Sequence, residues 1–179
     1  MRELFDIIKN NYDPNGKPFI RPSVRGIIIK EHKIAVVHSM MYDYYKFPGG
    51  GIDKGEDNIA TLIREVREEA GLDVIVDSIR EYGHVFRKEK GHPEDIFIQD
   101  NYYYLCDTVN TSGEQKLDDY ESRENFTLEW ADPLHVIATN DRFVEVCKNC
   151  DDKAHINKSV ESYRESRVMK MLVDEGYFS

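Results

Sequence analysis

The sequence predicts an α+β domain in which helices cover layers of largely antiparallel strands. Two observations carry that expectation. Strand-like runs outnumber helical ones, with one strongly amphipathic helical segment set among them. No linker or internal repeat divides the 179 residues, and 40% of them are hydrophobic, enough to close one core over residues 1–179.

In chain order, residues 3–10 (ELFDIIKN) place Leu4, Ile7 and Ile8 on one helical face, and Asp13-Pro14-Asn15-Gly16 is a turn signal. SVRGIIIK and KIAVVHSM, rich in Val and Ile, read as two strands joined at Glu31-His32. Tyr42 to Phe47 leads as a loop into Pro48 and the glycines Gly49, Gly50 and Gly51. From Asp57 to Ala70, an apolar stripe of Ile59, Leu62, Ile63, Val66 and Ala70 predicts a helix, capped by Asp57 or Asn58 and ended by Gly71. Four strand-like runs follow: VIVDSI, YGHVFRK, DIFIQDNYYYLCDTV and ENFTLEWAD. The polar stretch from Asn110 to Asn125 is expected to be a mobile loop. Pro133 to Ala138 reads as a short helix, and SVESYRESRVMKMLVDEG as a final amphipathic helix stopped by Gly176. The expected layout is a core of about residues 18–140, an N-terminal helix over 3–10 and a C-terminal helical extension over about 141–176.

Composition narrows the function classes. A formal net charge of −10 argues against binding duplex nucleic acid or an anionic membrane, which both rely on a Lys/Arg excess. A phosphate-bearing small molecule stays open if a cation intervenes locally. The stretch MRELFDIIKNNYDPNG carries acids and no long apolar run, so no secretory leader is expected. No stretch approaches the roughly 18 apolar residues of a membrane span. Three cysteines give no disulfide framework, and a reducing cytoplasm is the expected compartment. Cys147 and Cys150 form a CxxC near His155, but no second Cys/His pair lies at zinc-finger spacing, so two ordinary thiols are expected.

The chemistry is concentrated after the glycines. Glu65, Glu68 and Glu69 relate as i, i+3 and i+4, so their carboxylates share one edge of the helix. Like charges at that spacing repel by a few tenths of a kcal/mol. Arg64, four residues before Glu68, can brace it, and Glu56 sits where the helix dipole favours a carboxylate. Clustered carboxylates beside backbone carbonyls suit a hard cation, Mg²⁺ with Mn²⁺ as a substitute, and the glycines let backbone approach it closely.

Gly50, five residues, Glu56, seven residues, then Arg64-Glu65-Val66-Arg67-Glu68-Glu69-Ala70-Gly71-Leu72 resembles the Nudix box, G-x5-E-x7-R-E-U-x-E-E-x-G-U, at every defined position. The likeness to that family, which includes the MutT-like hydrolases, extends from about Pro18 to Asn140. It implies an α/β/α sandwich around a mixed sheet, and metal-dependent hydrolysis of a nucleoside diphosphate linked to another group. It also implies metal ligation by Glu65, Glu68 and Glu69, often with the Gly49 carbonyl. Arg64 would orient the glutamates, while Gly50, Glu56 and Gly71 would support the loop-helix junction. The base is Glu65 or a later glutamate, Glu121 or Glu124, with Glu65 placed first.

The substrate is less legible. The tyrosines at 42, 44, 45 and 102–104 read chiefly as packing. Arg25, His84 and Arg87 could hold phosphate, and Asn140 could meet a base edge or terminate a helix. The proline that ADP-ribose-cleaving members often carry about 15 or 16 residues past the box is replaced by Arg87 and Lys88, and the tyrosine of dinucleoside-polyphosphate members by Glu89 and Lys90. The coenzyme A signature upstream is also missing. Elimination favours a (deoxy)nucleoside triphosphate, such as an oxidised one. The alternatives are a nucleotide-sensing module without turnover, and a hydrolase of ADP-ribose or another nucleotide sugar. The two terminal helices could cap the sheet or pair two copies as a homodimer.

Overall fold

Burial at period two marks several of the strands, most clearly Arg80–Lys90 and Ile96–Leu105. The structure, a computed structural model, describes residues 1–179 except 92, 114, 119–121 and 151, with backbone alone described at 110–112. In order the elements are β1 (Glu3–Ile8), β2 (Pro18–Ile20), β3 (Ser23–Ile27), β4 (Ile29–Lys30), β5 (Lys33–Ser39), β6 (Tyr44–Lys46) and α1 (Asn58–Ala70). Then come β7 (Leu72–Val74), β8 (Arg80–Lys90), β9 (Ile96–Leu105), β10 (Thr108–Ser112), β11 (Phe126–Ala131), α2 (Pro133–Cys147) and α3 (Lys153–Asp174).

A mixed sheet runs β1-β8-β9-β2, with β3 also on β9. β1 lies parallel to β8, β8 antiparallel to β9, and β2 and β3 parallel to β9. A second, antiparallel sheet runs β11-β5-β4 with β6 on β5, and β7 pairs β10. The run SVRGIIIK changes sheets at Ile28, between β3 and β4, so one apolar segment joins both layers. On one side Val24, Ile28 and Ala35 pack with Leu62, Val66 and Ala70 of α1. On the other, Ile27, Ile34 and Val36 pack with Val136 of α2 and with Val160, Val168, Met169 and Leu172 of α3. Successive strand residues point to opposite faces, so both helix layers are fed by the same strands. This is the expected α/β/α sandwich around a mixed sheet.

Several boundaries differ from the sequence reading. Residues 3–10 do not form a helix. Phe5 and Ile7 are buried while Asp6 and Ile8 are exposed, an alternation that suits a strand, and β8 supplies the parallel partner. The grouping of Leu4, Ile7 and Ile8 omitted Phe5, whose burial beneath Arg167 of α3 decides the matter. Tyr44–Lys46, expected in a loop, pairs with β5. VIVDSI is no strand beyond Val74: it continues as a single 3₁₀ turn over Val76–Ser78. β10 extends into the segment expected to be a loop from Asn110, reaching Ser112. The short helix at Pro133 continues to Cys147 because Phe143 and Cys147 find Tyr44 to pack on, so part of the expected extension belongs to α2.

α1 forms as its sequence dictates. The Asp57 side chain accepts from the Ala60 amide, and Gly71 closes the helix in the left-handed region at φ 65°. α3 spans 22 residues, about 33 Å. It buries Ser162, Arg164, Glu165 and Ser166 alongside its apolar residues. The Arg164 guanidinium donates to Tyr103 Oη at 2.9 Å and Asn101 Oδ1 at 2.7 Å, and also to Glu165. Ser23 Oγ donates to the same Asn101 Oδ1 at 2.8 Å, so α3, β9 and β3 share one polar knot beneath the sheet. Among the described residues, no helix is long and apolar enough to cross a membrane.

Candidate active site

The glycine run is laid along β3 by backbone bonds. Val24 N donates to Gly50 O at 3.0 Å and Gly26 N to Pro48 O at 2.8 Å. Gly49 has φ 145°, and a Cβ there would fall 2.1 Å from Val24 O, so no other residue fits. A Cβ on Gly50 would fall 2.4 Å from Glu65 Oε2. The loop is therefore wedged between β3 and α1 with its backbone against the Glu65 carboxylate.

α1 presents its acids in two ways. Glu69 turns inward and is buried. It accepts Lys46 Nζ at 2.6 Å and Gly49 N at 2.8 Å, tying the loop to the helix. Glu65 and Glu68 instead converge on Arg64, whose Nη1 lies 2.7 Å from Glu65 Oε1 and 3.1 Å from Glu68 Oε2. Nε and Nη2 of Arg64 hold both Glu56 oxygens, at 2.9 and 2.8 Å. Those Arg64 bonds, with one from Thr61, draw the Glu56 carboxyl down to about 2. Burial, reinforced by Glu69, pushes Glu65 up despite Arg64. Arg64 thus gathers Glu56, Glu65 and Glu68, while Glu69 stays apart from it.

Among the described residues, no three His, Cys, Asp or Glu side chains are gathered as a ready cation cage. The reason is local: Lys46 has taken Glu69, and one guanidinium is shared by Glu65 and Glu68. The donor set still fits a hard divalent ion. Mg²⁺ needs only one or two carboxylates and completes its shell with water and phosphate oxygens.

The glycines form one wall of a cleft of about 390 Å³. Arg21, Arg25, Arg87, Lys90, Lys158 and Arg164 line it against Glu89, Glu94 and Glu161, an excess of cations in a chain of net charge −10. Three of these residues, Lys158, Glu161 and Arg164, come from α3.

Of the expected substrate contacts, Arg25 and Arg87 line the cleft, and Arg87 is held by Glu89, with Nε to Oε1 at 2.7 Å. His84 does not line it. It lies on the opposite face of β8 from Arg87, because three positions separate them in an alternating strand, and it packs near Tyr102. Asn140 neither meets a base nor ends a helix. Fully buried within α2, it accepts from Tyr45 N at 2.8 Å and donates to Tyr45 O at 2.9 Å, pinning β6. Glu124 is buried between Lys158 Nζ at 2.5 Å, Ser39 Oγ at 3.1 Å and Tyr44 Oη at 3.3 Å, which occupies it as a clamp for α3. Glu121 lies outside the described residues. Tyr103 points to the α3 side and Tyr102 and Tyr104 to the α1 side, so the tyrosines pack. The aromatics that line the cleft are Phe19 and Phe97.

Sequence reasoning missed Lys46, Arg21 and the three residues of α3. Lys46 sits in an aromatic run, YYKFP, where nothing marks it as a buried ion-pair partner. The α3 residues are about a hundred positions from the box in sequence and meet it only through folding.

The fold is an α/β/α sandwich in which a glycine loop lies between helical carboxylates and a cationic cleft. Residues 20–146 match the family model described as NUDIX domain, and the chain belongs to that family. It is 43% identical over 68 residues to an RNA pyrophosphohydrolase of Campylobacter jejuni subsp. doylei, covering 35% of this chain and 43% of that protein. It is 34% identical over 87 residues to nucleoside diphosphate-linked moiety X motif 6 of Xenopus laevis, covering 46% of this chain and 38% of that protein. The chain thus aligns with under half the length of these relatives. A NUDIX hydrolase from Nitrosomonas europaea shares the fold, with TM-score 0.52 and 17% identity over 84% of this chain and 91% of that one.

Proposed function

We propose that this chain is a Mg²⁺-dependent pyrophosphohydrolase that cleaves a phosphoanhydride bond of a nucleoside triphosphate. Hydrolases of this family generally use a divalent metal ion. The observation that carries the reading is the convergence of Glu65 and Glu68 on one guanidinium, with Glu65 against Gly50, a glycine that also lines a cationic cleft. Glu65 and Glu68, with the Gly49 carbonyl, would hold the ion. When bound, it polarises the phosphoryl oxygens and lowers the pKa of a water molecule.

The chain's own residues do the rest. Arg64 holds Glu65 and Glu68 in register, and Lys46 with Glu69 fixes the glycine loop. Glu65 takes the proton from the attacking water. Arg21, Arg25 and Lys90 line the cleft that would take the phosphates. Water adds to one phosphorus, the bridging P–O bond breaks, and the leaving oxygen carries the displaced charge. A nucleoside triphosphate gives a monophosphate and pyrophosphate.

A triphosphorylated RNA 5′ end is the second reading, favoured by the names of the matched bacterial relatives. A panel of nucleoside triphosphates, nucleotide sugars, dinucleotides and triphosphorylated RNA, each with Mg²⁺, separates these. Turnover of a triphosphate substrate is expected, and silence across the panel would reject the hydrolase.

Gly50→Ala supplies a finer test. Its Cβ would meet the Glu65 carboxylate, the movable end of a side chain, so stability should stay near wild type. Turnover should fall roughly tenfold to a hundredfold, because displacement by about an ångström is costly in catalysis. Melting temperature and kcat measured side by side check both halves.

A further inference from the structure

Among the described residues, each cation of the cleft that is shielded from solvent has a close carboxylate, with one exception. Arg87 has Glu89, Lys158 has Glu124 at 2.5 Å, and Arg164 has Glu165. The exception is Arg25, which is 94% buried by its 6% exposure. One Nη of Arg25 donates to the Gly49 carbonyl, and its Nε has no hydrogen-bond partner among the described residues. Its other Nη lies 3.4 Å from Glu161 Oε1, well beyond the roughly 2.7–2.9 Å of a good charge-assisted bond. The same Glu161 oxygen lies 3.5 Å from Arg164 Nη2. Glu161 is thus a cleft-lining anion held loosely between two guanidinium groups.

We propose that Arg25 is a phosphate-binding residue of the cleft and that Glu161 is an internal competitor for it, which an incoming phosphoanhydride must displace. Burial favours the neutral form of Glu161, but Arg25, Arg164, Lys158 and Lys46 draw its carboxyl down to about 2, so it remains an anion at neutral pH. An anion in that place repels other anions. It therefore sets a charge threshold for entry: a polyphosphate can outcompete one carboxylate for Arg25, and a weakly charged ligand cannot. The competitor sits on α3, which begins at Lys153, past the family-matched residues 20–146, so the threshold belongs to this chain's own C-terminal helix. Arg25 keeps its bond to Gly49 throughout, because a carbonyl oxygen has a second lone pair for another partner.

The inference rests on the cleft being the phosphate site of the proposed hydrolase, and its test uses neither metal nor turnover. Inorganic pyrophosphate is titrated calorimetrically into the full chain in the presence of a chelator. Glu161→Gln should tighten binding by roughly five- to twentyfold, the effect of removing one close like charge. In an Arg25→Gln background the same substitution should change affinity by less than about twofold, because the contested partner is gone. Unchanged or weaker binding in Glu161→Gln, an equal gain without Arg25, or no measurable binding in any variant would overturn the proposal. Should Glu161→Gln fail to fold, Glu161→Asp keeps the charge but withdraws it by one methylene, and a gain of roughly two- to fivefold is then expected. A silent nucleotide panel with this cycle intact removes the hydrolase and leaves the anion site. Turnover with the cycle absent does the reverse.

Discussion

Glu68→Gln is expected to lower kcat by roughly a hundred- to several-thousand-fold, since metal-borne charge stabilisation is worth several kcal/mol and about 1.4 kcal/mol is tenfold. The fold should survive. The Glu68 side chain is 41% exposed and pairs with Arg64 at 3.1 Å. Such a pair contributes at most about 1 kcal/mol to stability. Single-turnover kinetics over a Mg²⁺ series, beside a thermal melt, checks this, and wild-type kcat in the variant would remove Glu68 from the site. The neighbouring glutamate would be a poor choice for the same experiment. Glu69 holds Lys46 and the Gly49 amide in a buried place, so its loss would disturb loop, helix and chemistry together. Sequence spacing treats the two residues alike, and their burial separates them.

Arg164→Leu should cost about 3–5 kcal/mol of folding free energy, the usual penalty for removing one member of a buried ion pair. In a chain of this size that lowers the melting midpoint by roughly 6–20 °C. The guanidinium is fully buried and joins Glu165, Tyr103 and Asn101, and the last of these also binds Ser23 at the start of β3. Its removal leaves Glu165 a buried carboxylate with long contacts, to Tyr103 Oη at 3.4 Å and Phe47 N at 3.5 Å. Because Phe47 leads into the glycine run, the loop should loosen as well. Calorimetric unfolding reads the effect, and a midpoint within about 2 °C of wild type would show the knot to be dispensable.

The acidic edge of α1 was legible because it is local. Spacing of three and four residues fixes which carboxylates share a helix face, and Asp57 and Gly71 mark the ends of that helix without help from the rest of the chain. The N-terminal segment is not legible, for the opposite reason. Leu4, Phe5, Ile7 and Ile8 suit a helix or a strand over so few residues, and the choice fell to β8, which offers ladder bonds about eighty positions away. Asn140 is likewise illegible, since nothing near it in sequence shows that the backbone of Tyr45 will consume its amide.

The sequence by itself determined the loop-helix unit: the glycines that admit close backbone, the arginine that gathers Glu56, Glu65 and Glu68, and the family to which they belong. These depend on backbone geometry over a few turns. Tertiary structure alone decided that Glu69 would face Lys46, that Arg25 would meet Glu161 at 3.4 Å rather than in a close pair, and that α3 would bring Glu161 and Arg164 to the cleft. Electrostatic pairing acts through space at a few ångströms, so it is set by which distant segments pack together, and local spacing carries no record of that.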